Sequence, residues 1–279
     1  MRSLITAIVM ITCGLSSAIS FAAEAAENAK QPTPPNPVAV ITGSSSGLGY
    51  QLAKIAADKG MRLLLVDINL QPSRKLAEKI RAAGGEAYAI EVDLSLPESR
   101  GKISDAITEH FQRVDYLFNN AGYAYLAALE DQSLDQAHHL FEVNYWAYVD
   151  LAQRVIPWMK RQGSGHIINI SSVLGAIPAG PDLGVYSASK HALIGMFQSA
   201  AAELKPAGIF VTTVCPAGMK TNIMASAIGP RADQYRNVGS NWPSPEGIAE
   251  QIFSSLEEAP VLLFPGDAKS MAGNIRKDL

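Results

Sequence analysis

The chain reads as an α/β fold in which about seven parallel strands form one doubly wound sheet with helices on both faces. Short apolar runs alternate with longer helix-like segments from residue 37 onward. The runs are continuous rather than alternating, as strands covered on both faces require. A glycine-rich turn separates the first run from the first helix.

Taken in order, the strands are PVAVIT (37–42), RLLLVD (62–67), EAYAIEV (86–92), VDYLF (114–118), HIINIS (166–171), IFVTTVC (209–215) and PVLLF (260–264). Helices are expected over 47–59, 70–83, 97–111, 132–162, 185–204 and 245–257. Steady alternation of this kind means βαβ units with right-handed crossovers.

Ahead of the domain, residues 1–25 join Arg2 to an apolar run and small residues, the parts of a secretory signal peptide. An N-terminal anchor, with residues 4–23 as a membrane tether, and a disordered tail are the competing readings. Residues 26–36 form a Pro-rich linker, and residues 37–279 a single domain. Arg2 before the run and Glu24 and Glu27 after it would place the domain outside the cytosol, in the periplasm if the source is bacterial. Retention in the cytoplasm, through a misassigned start or an anchor with the domain facing inward, is the alternative.

With 279 residues, 48% of them apolar, and a net charge of −3, the chain has ample core and no basis for nucleic-acid binding. Its two cysteines, Cys13 and Cys215, would leave one thiol after leader removal, so no intramolecular disulfide is expected. His110, His138, His139, His166 and His191 are scattered, and no metal site is expected.

The turn TGSSSGLG (42–49) lies between strand and helix, where glycines bring backbone amides and a helix N-terminus against a phosphate. Gly43, Ser45, Ser46, Gly47, Leu48 and Gly49 are therefore candidate dinucleotide-binding residues. Asp67 ends the second strand, placed to accept hydrogen bonds from an adenosine ribose and to repel a 2′-phosphate. No Arg or Lys lies within the turn, so NAD is preferred over NADP. A helix-capping role for Asp67 is the alternative. Tyr186 and Lys190, in YSASK, share one helix face. A nearby ammonium favours the phenolate and lowers a tyrosine pKa from about 10.

TGxxxGxG, NNAG at 119–122 and YxxxK at 186–190, in this order, resemble the short-chain dehydrogenase/reductase family, compact single-domain branch. The resemblance spans about residues 37–265. It implies a Rossmann-type, dinucleotide-binding catalytic domain. Tyr186 would be the general acid or base and Lys190 would hold the nicotinamide ribose. Ser172 would orient substrate and Asn144 would hold a relay water. Asn119, Asn120, Ala121 and Gly122 would steady the sheet and line the cofactor floor, and Asp93 and Leu94 would meet the adenine. Pro216, Met219 and Thr221, in CPAGMKT, would meet the nicotinamide. Two departures stand out: Ser172 precedes Tyr186 by fourteen residues rather than thirteen, making Ser171 an alternative, and Ala217 occupies the usual glycine position.

The expected activity is NAD(P)-dependent interconversion of a secondary alcohol and a ketone, or of an aldehyde and an alcohol. The flanking loops are apolar, with Tyr123, Tyr125, Leu126, Leu174, Ile177, Leu183, Met224 and Ile228 as candidate contacts, so an apolar substrate is expected. Residues 222–242 read as a lid. The family resemblance implies a homodimer or homotetramer paired through helices bearing Trp146, Trp158 and Phe197. A non-catalytic NAD-binding sensor or scaffold, and a lyase or epimerase using NAD transiently, are the alternatives.

Overall fold

The computed structural model describes residues 36–275, so the expected leader and all of the linker but Asn36 lie outside the described residues. Among the described residues, seven strands form one parallel sheet in the order β3-β2-β1-β4-β5-β6-β7. They are β1 (Val38–Thr42), β2 (Arg62–Asp67), β3 (Ala87–Glu91), β4 (Tyr116–Asn119), β5 (Gly165–Ile170), β6 (Ile209–Val214) and β7 (Leu262–Leu263).

Side chains of a strand point to alternate faces, and the core divides accordingly. Val38 and Val40 of β1 join Leu64, Leu117 and Ile167 in a cluster on one face. That face is covered by α3 (Gly101–His110), α5 (Ala147–Gln162) and α6 (Gly184–Leu204). Ala39 and Ile41 join Leu63, Phe118 and Ile168 on the other, beneath α1 (Gly47–Asp58), α2 (Leu70–Ala82) and α8 (Pro245–Ser255). Both faces of the sheet are therefore dry, which is why its strands read as unbroken apolar runs.

The segment expected as one helix over 132–162 is three pieces. Helix α4 (Leu134–Phe141) passes into a π-helical turn at Glu142–Trp146 before α5 begins. A π turn inserts a residue into the helical ladder and is frequent at functional sites. Two helices were not expected: the short α7 (Ala232–Tyr235) and α9 (Ala268–Ile275), whose Ala268 packs on Val173 and Ile177. Of the residues expected to pair with a second copy, Phe197 is 2% exposed and belongs to the core, whereas Trp146 is 51% exposed.

His166 lies inside β5, 4% exposed, with Nε2 2.9 Å from the Thr212 hydroxyl. Burial brings its pKa down to about 4, against about 6.5 for a free imidazole. Between these values the unfolded chain binds a proton that the folded chain refuses. The resulting stability, up to about 3 kcal/mol, is complete above pH 6.5 and lost as pH falls through 4. Melting temperature measured from pH 7 to 4.5 should fall less steeply for His166→Gln than for the parent; equal slopes would refute this account.

Candidate active site

Strand order reverses between β1 and β4, and the connections there leave a crevice beyond the carboxyl ends of the strands. A cleft of about 720 Å³ opens at this end of the sheet, a volume typical of small-molecule and cofactor sites.

Its base is built where β1 ends. Gly43 (φ 67°) and Gly47 (φ 55°) adopt the left-handed backbone that turns the chain into α1. Gly49 is glycine for a different reason: a methyl carbon there would collide with the Gly43 carbonyl oxygen and the Asn120 amide. Across the seam, the Thr42 hydroxyl accepts from the N–H groups of Asn120 (2.9 Å) and Ala121 (3.1 Å). Asn120 Nδ2 donates to the carbonyls of Thr42 and Gly43 at 2.9 and 3.2 Å. Gly43, Ser45, Ser46 and Leu48 line the cleft, together with Asn120, Ala121 and Gly122. Gly47 and Gly49 are not part of the lining; Gly49 is packed behind the turn, and Gly47 lies under Thr221.

Asp67, Asp93 and Leu94 line the same cleft. The Asp67 carboxylate accepts from Ser45 N–H (2.9 Å) and from Asn69 N–H (2.8 Å). It therefore holds the turn into α2 and faces the cleft as well. The Leu94 carbonyl is held by Arg100, whose Nε and Nη2 donate to it at 2.9 and 2.6 Å. Nη2 also pairs with the Glu142 carboxylate at 2.6 Å, so this buried guanidinium ties the Leu94 loop to the π turn.

Ser172, Tyr186 and Lys190 meet where β5 and α6 enter the cleft. Lys190 is 3% exposed and its Nζ donates to the Ile170 carbonyl at 2.9 Å. Nζ lies 5.8 Å from the centre of the Tyr186 ring and 5.5 Å from that of Tyr148. Desolvation brings the lysine down to about 7. The same burial pushes the Tyr186 phenol up to about 12, with the Ser172 hydroxyl opposing the rise. The lowered tyrosine pKa expected from the YxxxK spacing is thus reversed, because burial outweighs an ammonium that points at a backbone carbonyl.

Both serines line the cleft, but their hydroxyls have different partners. Ser172 accepts from Leu174 N–H at 3.2 Å and interacts with Tyr186. Ser171 donates to the Lys190 carbonyl at 2.9 Å, so its hydroxyl is spent on α6. Asn144 sits in the π turn, fully buried. Its Oδ1 accepts from Tyr123 N–H (3.1 Å) and its Nδ2 donates to the Tyr123 carbonyl (3.0 Å). Asn144 therefore lies behind the cleft and grips the chain just after NNAG.

Pro216, Met219 and Thr221 line the cleft, as do Tyr123, Leu174, Leu183 and Met224 from the apolar loops. Tyr125 and Leu126 are instead buried in packing, Ile177 lies under α9, and Ile228 pairs with Tyr125 outside the lining. Sequence reasoning missed three residues. Tyr148, one turn after Asn144, lies under the Lys190 ammonium and donates to the Ala121 carbonyl at 2.9 Å. Arg100 gives no local signal, and Met271 of α9 reaches the cleft from the far end of the chain.

A family model described as short chain dehydrogenase matches residues 37–231, well over half of the chain. The chain belongs to this family. It is 35% identical over 189 residues to a 2,5-dichloro-2,5-cyclohexadiene-1,4-diol dehydrogenase of Sphingobium indicum, covering 68% of this chain and 75% of that protein. A short-chain dehydrogenase/reductase of Burkholderia phymatum, solved in complex with NAD, superposes with a TM-score of 0.79 at 26% identity over 89% of this chain and 95% of that one. A short-chain dehydrogenase of Sphingobium yanoikuyae, solved with NADPH, gives 0.75 at 27% over 87% and 94%. A nicotinamide dinucleotide is thus the family's cofactor, and the glycine turn, Asp67 and the cleft volume fit one.

The two serines should separate on substitution. Ser172→Ala should lower turnover by about 10²–10³-fold, the scale of a lost oxyanion donor, with little change in melting temperature. Ser171→Ala should cost about 1 kcal/mol of stability and far less activity. The reverse pattern in steady-state rates and thermal melts would transfer the role to Ser171.

Proposed function

We propose that this protein is an NAD-dependent oxidoreductase that interconverts an apolar secondary alcohol and its ketone. One juxtaposition carries the reading: a buried tyrosine, lysine and serine stand in the same cleft as a glycine-rich phosphate cradle and an acidic strand end. When bound, the nicotinamide supplies or takes up the hydride.

The chain's own groups manage the proton and the oxygen. In the reductive direction Tyr186, protonated at neutral pH and kept so by burial, gives its proton to the substrate oxygen as charge builds there. Ser172 donates a second hydrogen bond to that oxygen. Lys190, with a pKa of about 7, carries a proton or takes one from solvent, and its positive charge near the phenolate that Tyr186 leaves limits the cost of that phenolate. Tyr148 supports that ammonium with its ring face. Asn144 fixes the backbone of Tyr123 and links the π turn to the lysine's helix through Ser189 at 3.4 Å.

Asp67 supports NAD over NADP, since its carboxylate repels a 2′-phosphate. Among the described residues lining the cleft the only Lys or Arg is Lys190, which is engaged at Ile170. The apolar side chains from the loops, and the relative named for a chlorinated cyclic diol, support a cyclic apolar alcohol as substrate class.

Fluorescence titration of the full-length protein should show tighter binding of NADH than of NADPH, and Asp67→Ser should narrow the difference by about tenfold or more. 1-Phenylethanol and cyclohexanol should be oxidised where gluconate is not, and Tyr186→Phe should abolish turnover while leaving NADH affinity within a few-fold. Cofactor binding without turnover of either alcohol would favour a non-catalytic NAD-binding module. No binding of either cofactor would end the dehydrogenase reading.

A further inference from the structure

The turn after β6 carries Ala217 where the family has glycine, and Gly218 one place later. Backbone conformation does not explain the displaced glycine, because neither residue has a positive φ. The space around Gly218 does. A methyl carbon there would stand 2.7 Å from both Cδ2 and Cε2 of Trp242, too close for any side chain. Trp242 meets a second glycine on its own loop: at Gly239 (φ 87°) the same carbon would stand 2.5 Å from Cε3 and 2.9 Å from Cδ2. The indole is thus seated on two bare backbone stretches, one in the turn and one in the loop. At the base of this loop Lys220 N–H donates to the Pro243 carbonyl at 2.8 Å, bringing the chain after Trp242 back to the turn.

The indole is held by the backbone but not enclosed. Trp242 lines the cleft together with Pro216, Met219 and Met271, and is 37% exposed. A partly exposed aromatic ring, held in place at the wall of a cleft, offers an apolar surface to a ligand.

We propose that Trp242 is a specificity-determining residue of this enzyme: its indole, seated on Gly218, is the wall against which the ring of a cyclic apolar alcohol lies. The displaced glycine of CPAGMKT is the seat that this wall requires. The proposal rests on the reading of the cleft as a nicotinamide and alcohol site.

Three measurements on the full-length protein test it. In a thermal-melt cycle, Gly218→Ala should lower the melting temperature by several degrees beside Trp242 but hardly at all in a Trp242→Ala background. Excitation of tryptophan should produce sensitised emission from bound NADH, and Trp242→Phe should remove most of it while Trp146→Phe and Trp158→Phe do not. The ratio of kcat/KM for 1-phenylethanol over 2-butanol should fall about tenfold in Trp242→Ala, the size of one apolar contact at a pocket wall, and recover in part in Trp242→Phe. Additive melting shifts, or unchanged emission in Trp242→Phe, would overturn the placement of the indole, and an unchanged ratio would overturn its selective role. Failure of the parent protein to bind NADH, or to oxidise either alcohol, would instead overturn the reading of the cleft, and the selective role with it.

Discussion

Thr42 and Asn120 close the seam between the two halves of the sheet. At this seam the strand order reverses, so the helices that follow β1 and β4 lie on opposite faces of the sheet and the loops after the two strands face each other. One hydroxyl and one carboxamide supply four hydrogen bonds between them. That contact is close enough to leave no room for a side chain at Gly49. Everything downstream inherits its position from this stitch: the cradle of the glycine turn on one side, and Ala121, Gly122 and Tyr123 on the other. Asn144 then grips Tyr123, and Tyr148 grips Ala121, so the π turn is registered against the same seam.

Burial sets the protonation of Tyr186 and Lys190. In water, tyrosine and lysine would both stay protonated at neutral pH. Desolvation disfavours the charged form of each, so it drives the phenol up and the ammonium down until the two pKa values diverge to about 12 and about 7. The lysine consequently changes charge near neutral pH while the tyrosine keeps its proton. Cys215 belongs to the same buried environment; its thiol is likewise pushed up to about 12, with Lys190 opposing the rise.

The order of strands and helices, the glycine turn, the acidic end of β2 and the Tyr–Lys spacing are all local, and all were legible in the residues. Each depends on a periodicity or a turn chemistry confined to fewer than about ten neighbours. The misread features are those in which two distant segments compete. Continuous helical periodicity hides the π turn at Glu142–Trp146, because the extra residue is held in place by Arg100 and by the Tyr123 backbone rather than by helix propensity. Tyr125, Leu126 and Ile177 look the same in sequence as Leu174 and Met224, and only the packing sends the first three inward.

The sequence alone determined the class of fold, the place of the glycine turn between β1 and α1 and the spacing of Tyr186 and Lys190 on one helix, because these follow from periodicity and short spacings. Tertiary structure alone decided which of two adjacent serines faces Tyr186, which way the Tyr186 pKa moves, and why a glycine stands at 218. Each of those outcomes depends on what lies across a gap of many residues: the carbonyl that Lys190 meets, the helix that Ser171 serves, and the indole that rests on Gly218. Desolvation and steric exclusion act through space, and chain order carries no record of them until the chain has folded.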